Sequence, residues 1–533
     1  MSTTLTPQSA ETSESQDRPP TNAPTTDEEY ASTGDSFVLG LAFMLAVTVV
    51  QRVVGFARSV LFCGMMRDEQ LGRWSLAFSF LLLAAPLAVL GLPGSFGRYV
   101  EYYRQRNQLG TFLRRTVGVS VVLSTITVVL VIALAPFWAW LVFGDAGAAP
   151  LVRLLGGTLA CVIAFNFVVE LLTAVRQVRV VAVMQFVSSV LFAVIAIALL
   201  AFTDLAERGV IIAFGTACLV AIGVAARPLS RMGRQAASCR ACLPHARLWE
   251  KLLPFAAWIW VTDLLANLFD VADRIMIVHF ARVDQGAADS IIGQYHASRV
   301  VPFLLVAVAG MVAGVILPYM SRDWERGNQS TVARRQLLTL KIGGLVLTMS
   351  GGLILLGAPL LFGWLLHGRY DQGLTVLPIT LTYCVWFSLM TLAQNYLWCT
   401  ERARLGSIAL AIGLAANIGL NVLLLPWWGL QGAVLATAIA NAVALALVLY
   451  FGSFWGLIPD RGTLFCCALP VTLIVGAPVA LVAVAALALV GYREGWLFSP
   501  NDKRQMFVTA GRLWQRVSSH PIAARFASPG DSR

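Results

Sequence analysis

The most constraining feature of this sequence is a series of uninterrupted apolar stretches, each long enough to cross a lipid bilayer. About 20 apolar residues in a helix span the roughly 30 Å hydrocarbon core. Two clear examples are 117–143 and 408–426. Of the 533 residues, 58% are hydrophobic and only 13% are charged, which leaves too little polar surface for a water-soluble chain of this length. The sequence therefore predicts an all-α, multi-pass integral membrane protein.

Twelve spans and one further apolar run can be read along the chain. Before them, residues 1–36 are rich in Ser, Thr, Pro and acidic residues, and we expect a disordered tail there. The predicted spans are 37–57, 74–97, 117–143, 151–175, 180–202, 209–226, 253–280, 290–318, 342–366, 374–398, 406–426 and 429–452.

An internal repeat divides these spans into two sets of six. Leu71-Gly72-Arg73-Trp74 opens the second span as Ile292-Gly293-Gln294-Tyr295 opens the eighth. Arg114 before the third span has its counterpart in Arg335 before the ninth. Matched halves are common in transporters. The repeat predicts two six-helix lobes around a central cavity, with the segments 37–226, a basic linker at 227–252, 253–452, an extra membrane segment at 463–490 and a basic tail at 491–533.

The basic residues predict how the chain is oriented. Loops after even-numbered spans hold 21 Lys and Arg residues, whereas those after odd-numbered spans hold four, namely Arg67, Arg208, Arg282 and Arg369. Positively charged loops remain on the cytoplasmic side. We therefore expect a cytoplasmic N-terminus in the cell (inner) membrane. The net charge of +11 reports this topology, so no nucleic-acid partner is expected.

The last apolar run does not agree with this topology. A thirteenth simple span at 463–490 would place the C-terminal tail outside, yet that tail is basic. Either the run does not simply cross, or Pro470 and Pro478 break it into a re-entrant pair, or a span is miscounted. We favour a cytoplasmic tail, whose stretch 506–517 could lie on the anionic inner leaflet and its membrane lipids.

Ionisable residues inside the spans are the candidate functional residues, because a charge in hydrocarbon normally faces a cavity or a partner. In the seventh span, four polar residues are spaced 4, 3 and 4 apart, which places them on one helical face. The arginines could bind an anionic group such as a diphosphate. The carboxylates could pair with the arginines or bind a coupling proton or sodium ion. The candidate cavity residues are Arg52, Arg58, Asp263, Asn267, Asp270, Arg274 and Arg299.

Structural ion pairs, or side chains that snorkel to the membrane interface, are the alternative for charges near span ends. It is the favoured interpretation for Arg58, Arg153 and Asp273, and for Glu170 because Arg176 is close in sequence.

The sequence gives no sign of catalysis. It contains no Ser/His/Asp set and no Walker sequence, and a lone Cys239–Cys242 pair with His245 falls short of the four ligands that a metal site usually needs. We expect a protein that is not an enzyme and that has no cofactor and no metal site.

Several of these motifs resemble those of a known family. The stretch Gln51-Arg52-Val53-Val54-Gly55-Phe56-Ala57-Arg58, the Leu71–Trp74 motif, the Arg98–Tyr103 exit of the second span and Gly293-Gln294-Tyr295 resemble polysaccharide-export flippases. These are the oligosaccharide flippases of the multidrug/oligosaccharidyl-lipid/polysaccharide exporter superfamily. The resemblance covers about 37–452. It implies a V-shaped pair of helical bundles around a central cavity.

The resemblance also implies a function. It implies translocation of an undecaprenyl-diphosphate-linked oligosaccharide to the outer leaflet, for capsule, exopolysaccharide or the O-antigen of lipopolysaccharide. A glycan polymerase is a candidate partner. Two alternatives stay open, a cation-coupled multidrug exporter of the same superfamily and, from another class, a membrane glycan polymerase or acyltransferase.

Overall fold

The computed structural model describes residues 47–104, 106, 108–175, 177–238, 245–365, 368–495 and 497–498. Every regular element within these ranges is helical, in agreement with the predicted all-α class. Three sequence-based expectations fall outside the described residues: the disordered tail 1–36, the Cys239–Cys242 pair, and the tail from 499 onwards.

In the described ranges, nine α-helices precede the second lobe. They are α1 (Val47–Met65), α2 (Asp68–Ala88), α3 (Phe96–Arg104), α4 (Leu109–Ala133), α5 (Ala135–Phe143), α6 (Ala149–Ala174), α7 (Val178–Phe202), α8 (Ala206–Val224) and α9 (Ala226–Ser238). The N lobe consists of α1 to α8, and α9 lies in the segment predicted as a basic linker.

The C lobe repeats this arrangement and carries an addition at its end. Its helices are α10 (His245–Phe280), α11 (Gln285–Val300), α12 (Pro302–Glu325), α13 (Gln329–Leu360), α14 (Asp371–Cys399) and α15 (Ala403–Ser453). The addition consists of α16 (Arg461–Ala468), α17 (Thr472–Val475) and α18 (Ala477–Glu494).

Ten of the described helices are long and apolar enough to cross a membrane. One of them, α15, contains 51 residues and holds two predicted spans, because Gly429 adopts a left-handed φ of 53° and bends the helix there. Two other predicted spans are each divided before a proline, which has no N–H to continue the helical ladder. The third span breaks between α4 and α5, before Pro136, and the eighth breaks between α11 and α12 at Pro302.

The two lobes meet where α2 crosses α11. A Cβ atom on Gly72 would lie 1.9 Å from the backbone oxygen of Asp289, and one on Gly293 would lie 2.0 Å from that of Asp68. Only glycine permits backbones to approach this closely. The two contacts are reciprocal, since each glycine touches the residue four positions before the other. The repeated motifs of the two halves therefore pack against each other.

Polar bonds secure this end of the crossing. The Arg73 guanidinium donates from Nε to Asp289 at 2.8 Å, and the Ser290 hydroxyl donates to Asp68 at 2.6 Å. A further interlobe contact lies beside α5, where Nε2 of His279 is 2.8 Å from the backbone oxygen of Leu141. The lobes are thus joined through both backbone packing and hydrogen bonds.

Candidate functional site

Two connected cavities lie beside α10 and α11. The interlobe cavity, of about 590 Å³, is bounded by α1, α2 and α7 of the N lobe and by α10, α11 and α12 of the C lobe. The C-lobe cavity, of about 510 Å³, is bounded mainly by α10, α12, α14 and the second half of α15. Residues that line both are Arg52, Asp270, Arg299, Phe303 and Ala307.

Asp270 is the carboxylate at the junction of the two cavities. Its Oδ1 accepts a hydrogen bond from Nη2 of Arg299, and its Oδ2 lies 4.0 Å from Nη1 of Arg274. Arg274 reaches Asp270 because the two residues are four apart on α10 and therefore share a face. Nη1 of Arg274 also donates to the Ser79 hydroxyl of α2 at 2.5 Å, so this ion-pair network touches both lobes.

The interlobe cavity holds more positive than negative charge. Arg58, Arg274 and Arg299 line it together with the exposed Arg52, while Asp270 is the single carboxylate among the described residues that line it. Several guanidinium nitrogens that are buried there have no hydrogen-bond partner among the described residues. They are Arg58 Nε, Arg274 Nε, Arg299 Nε and Arg299 Nη1. Buried donors without partners cost about 1–3 kcal/mol each, so an acceptor that reached these nitrogens would relieve that cost.

Aromatic rings hold two of these arginines in place. The guanidinium carbon of Arg58 lies 4.2 Å from the ring centre of Phe192, and that of Arg299 lies 4.2 Å from the ring centre of Phe303. A cation over an aromatic face is attracted without using its N–H donors. These ring contacts therefore use none of the N–H donors of Arg58 and Arg299.

His296 is a further member of this cluster that sequence analysis did not single out. It lines the interlobe cavity, and its Nδ1 lies 3.2 Å from the Ser75 hydroxyl of α2. Its position three residues before Arg299 on α11 is the signal that could have identified it, because residues three apart share a helical face.

A second polar cluster surrounds Asp273 in the C lobe. This side chain is 2% exposed and lines the C-lobe cavity. Its donors are all neutral: Tyr295 at 2.8 Å, Asn417 at 3.0 Å, Asn421 at 3.0 Å and Thr437 at 2.6 Å. The oxygens Asn421 Oδ1 and Asn441 Oδ1 are buried without a described partner beside this network.

This environment differs from the expectation for Asp273, which was a structural ion pair or a position at the membrane interface. No cation among the described residues bonds to its carboxylate. The sequence signal that was available is the pair Asn417 and Asn421, two amides four apart in an otherwise apolar helix.

The structure separates the predicted polar stripe of α10 into two groups. Asp270 and Arg274 line the interlobe cavity, whereas Asp263 and Asn267 line neither cavity. Asp263 lies instead within electrostatic range of Glu170 on α6. The spacing rule places these residues on one face, but along the length of the helix that face passes from the cavity to a region near Glu170 of the N lobe.

The described fold and cavities define a two-lobed, multi-pass membrane protein of the transporter type. Residues 37–324, more than half of the chain, match the polysaccharide biosynthesis protein family. The chain belongs to this family, which confirms the resemblance found in the sequence. No curated protein sequence gives a significant match.

Solved structures share the fold at low sequence identity. Lipid II flippase MurJ in an inward closed conformation superimposes with a TM-score of 0.62 at 15% identity, covering 85% of this chain and 99% of MurJ. An inward-facing multidrug resistance MATE family transporter of the MOP superfamily gives 0.62 at 14% identity, covering 77% and 97%. A MOP superfamily transporter from Pyrococcus furiosus gives 0.58 at 12% identity, covering 78% and 95%. The fold is therefore that of the MOP superfamily.

Proposed function

We propose that this protein moves a polyprenyl-diphosphate-linked oligosaccharide across the cytoplasmic membrane by alternating access, for surface polysaccharide assembly. The observation that carries this proposal is the positive charge of the interlobe cavity, where buried guanidinium nitrogens lack partners. A diphosphate supplies negative charge and several acceptor oxygens, and arginine binds such groups in a forked geometry. Family membership and the fold shared with a lipid II flippase support the same substrate class.

The cavity also accounts for how one site could serve two leaflets. The arginines and Asp270 lie where α10 and α11 meet α2, which is the interlobe contact that must rearrange if the two lobes rock. Binding of the anion would satisfy Arg58 from the N lobe and Arg299 from the C lobe together. A ligand shifts a conformational equilibrium only if it binds one state better than the other. An anion that contacts both lobes would bind best to the state in which both arginines reach it.

The test is transport by purified protein in liposomes that contain a fluorescent polyprenyl-diphosphate saccharide. Arg58→Gln and Arg299→Gln each remove unpaired donors, and we expect each to lower the transport rate about tenfold or more. Arg153→Gln is the matched control, because Arg153 is an exposed arginine of α6 that lines neither cavity. Wild-type rates for both cavity variants would contradict the proposal.

A cation-coupled multidrug exporter remains the alternative, since MATE family transporters share this fold. Resistance to cationic drugs conferred on a sensitive host, with no transport of the saccharide lipid, would favour it. The surplus of arginines in the interlobe cavity opposes it, because a cationic drug would meet like charge.

We further propose that a coupling proton or sodium ion binds at Asp273. A buried carboxylate with only neutral partners can be neutralised by either ion, and unpaired amide oxygens beside it could complete the coordination of a cation. Asp273→Asn should retain saccharide-lipid binding but should lose acceleration by an imposed pH or sodium gradient. Equal acceleration of the variant and the wild type would contradict this assignment.

A further inference from the structure

The C-terminal addition is built from two helical arms. The first arm, 461–475, comprises α16, a 3₁₀ turn at Leu469–Val471, and α17. The second arm is α18. Between them Gly476 has φ of 138° and ψ of 165°, a glycine-favouring conformation that ends α17 and separates it from α18. At 1.5 Å per residue the arms are roughly 22 and 27 Å long.

Both ends of this addition bind the same side chain. The buried ammonium of Lys341, on α13, donates to Asp460 Oδ2 at 2.5 Å and to the backbone oxygen of Leu497 at 2.7 Å. Asp460 directly precedes the first arm, and Leu497 follows the second. A Cβ atom on Gly462 would lie 3.2 Å from Cα of Leu497. The two ends of the C-terminal addition therefore lie at the same level along α13.

The contacts along α13 give the course of each arm. The first arm passes Gly344 at Cys466 and then Gly351 at Leu473, while the second passes Gly352 at Leu481. Farther along the second arm, Leu487 joins the cluster that contains Cys466 and Leu497. The two arms thus run in opposite directions over one face of α13.

Side chains of α14 donate hydrogen bonds to backbone carbonyl groups of the first arm, whose helix is irregular. Pro470 interrupts the helical ladder, and its carbonyl accepts from the Thr382 hydroxyl at 3.1 Å. The carbonyl of Cys467 accepts from the indole N–H of Trp386 at 2.8 Å. Non-helical backbone at membrane depth is tolerated only where protein satisfies it. These bonds fix the addition to the C lobe as a specific structural unit.

We propose that residues 460–497 form a helical hairpin that enters and leaves the membrane through the face of the lobe linker. An end-to-end crossing by 33 helical residues would measure about 50 Å, whereas the hydrocarbon core is about 30 Å. The basic segment after Leu497 then begins on the face that holds the basic loops. This resolves the conflict between a thirteenth span and a basic tail. The inference does not depend on the proposed transport activity.

The decisive experiment locates three positions with the same reporter in the full-length chain. A fluorescent protein that matures only in the cytoplasm, or alkaline phosphatase that is active only outside, is fused after Arg533, inserted after Ser238 in the linker, or inserted after Asp204 between α7 and α8. We expect the fusions after Arg533 and Ser238 to report the same side and the Asp204 insertion to report the opposite side. Agreement of Arg533 with Asp204 would overturn the hairpin.

A cross-link provides an independent measurement. Gly462→Cys combined with Leu497→Cys should form a disulfide when membranes are oxidised, detected by mass spectrometry of the linked peptides. The control pairs Leu497→Cys with Gly476→Cys, which lies at the tip of the hairpin. Equal linkage of both pairs, or linkage of the control pair alone, would contradict the hairpin. If the first pair fails to insert, the reporter fusions still decide.

Discussion

The single carboxylate of Asp270 forms ion pairs with both Arg274 and Arg299. Its negative charge therefore offsets part of the positive charge of the interlobe cavity. Without it, Arg274 and Arg299 would face each other and Arg58 with no anion among the described residues of that cavity. Removing this partly exposed carboxylate is destabilising, because it leaves the buried charges of Arg274 and Arg299 uncompensated. We therefore expect substitution of Asp270 to lower the stability of the fold, whether or not a ligand is bound.

We predict that Asp270→Asn lowers the free energy of unfolding by about 1–3 kcal/mol, since an amide still accepts one hydrogen bond but carries no charge. Thermal unfolding of the protein in detergent measures this. Asp263→Asn is the control on the same helix, because Asp263 lies near Glu170 and loses only a repulsion. A larger loss in Asp263→Asn than in Asp270→Asn would refute the prediction.

The Lys341–Asp460 pair predicts a pH dependence. Burial alone would raise the pKa of Asp460, but hydrogen bonds from Lys341 and Thr463 outweigh it and hold that pKa below its usual value of 3.8. A carboxyl group with a lowered folded-state pKa stabilises the fold above its unfolded pKa. That contribution is lost as the pH falls through the folded pKa.

Asp460→Asn isolates this effect, because Asn caps the α16 helix about as well as Asp. We expect wild type to have the higher unfolding temperature from pH 7 down to about 5, and the two proteins to converge below pH 3.8. A difference that persists unchanged at the lowest pH would show that charge on Asp460 is not the cause.

At the level of elements, the crossing of α2 and α11 depends on two glycines. We predict that Gly72→Ala separates the helices, because its methyl group would lie 1.9 Å from a backbone oxygen that cannot move alone. Hydrogen exchange should rise in peptides from the first turns of α2 and α11. Gly118→Ala on α4 is the control, since its methyl group meets nothing within 4 Å. Unchanged exchange in Gly72→Ala would contradict this packing.

Sequence analysis found most of the helices. It did not predict every position at which a span is divided, nor which helices pack against each other. Apolar length identifies a span because the bilayer sets that length, and the repeat identified Gly72 and Gly293 as equivalent. The contact between those glycines was not predictable, since equivalence in sequence does not say that two segments touch. The surroundings of Asp273 were missed for a similar reason, because three of its four partners, Asn417, Asn421 and Thr437, are more than 140 residues away along the chain.

At the level of the whole molecule, the two lobes differ although their sequences are related. The hairpin packs on α13 and α14 of the C lobe, and among the residues that the structure describes the N lobe has no corresponding addition. Three glycines of α13 and two side chains of α14 are fitted to it. The C lobe is therefore incomplete without the hairpin.

We predict that a chain ending at Ile458 loses the folded C lobe. Truncation leaves the Lys341 ammonium buried without either partner and uncovers the glycine face of α13. Size-exclusion chromatography in detergent should show aggregation or loss of yield. A chain ending at Phe498 is the matched control and should remain monodisperse. A monodisperse protein from the shorter chain would refute the role assigned to the hairpin.

Lys341 also has a consequence for the order in which the protein is assembled. Its two acceptors lie far downstream, and Asp460 is 119 positions later in the chain. During synthesis α13 is therefore inserted long before the hairpin that neutralises its ammonium exists. The hairpin must then pack against a face of α13 that is already in the membrane. Assembly of this lobe therefore ends with a docking step that depends on polar contacts to Lys341 as well as on hydrophobicity.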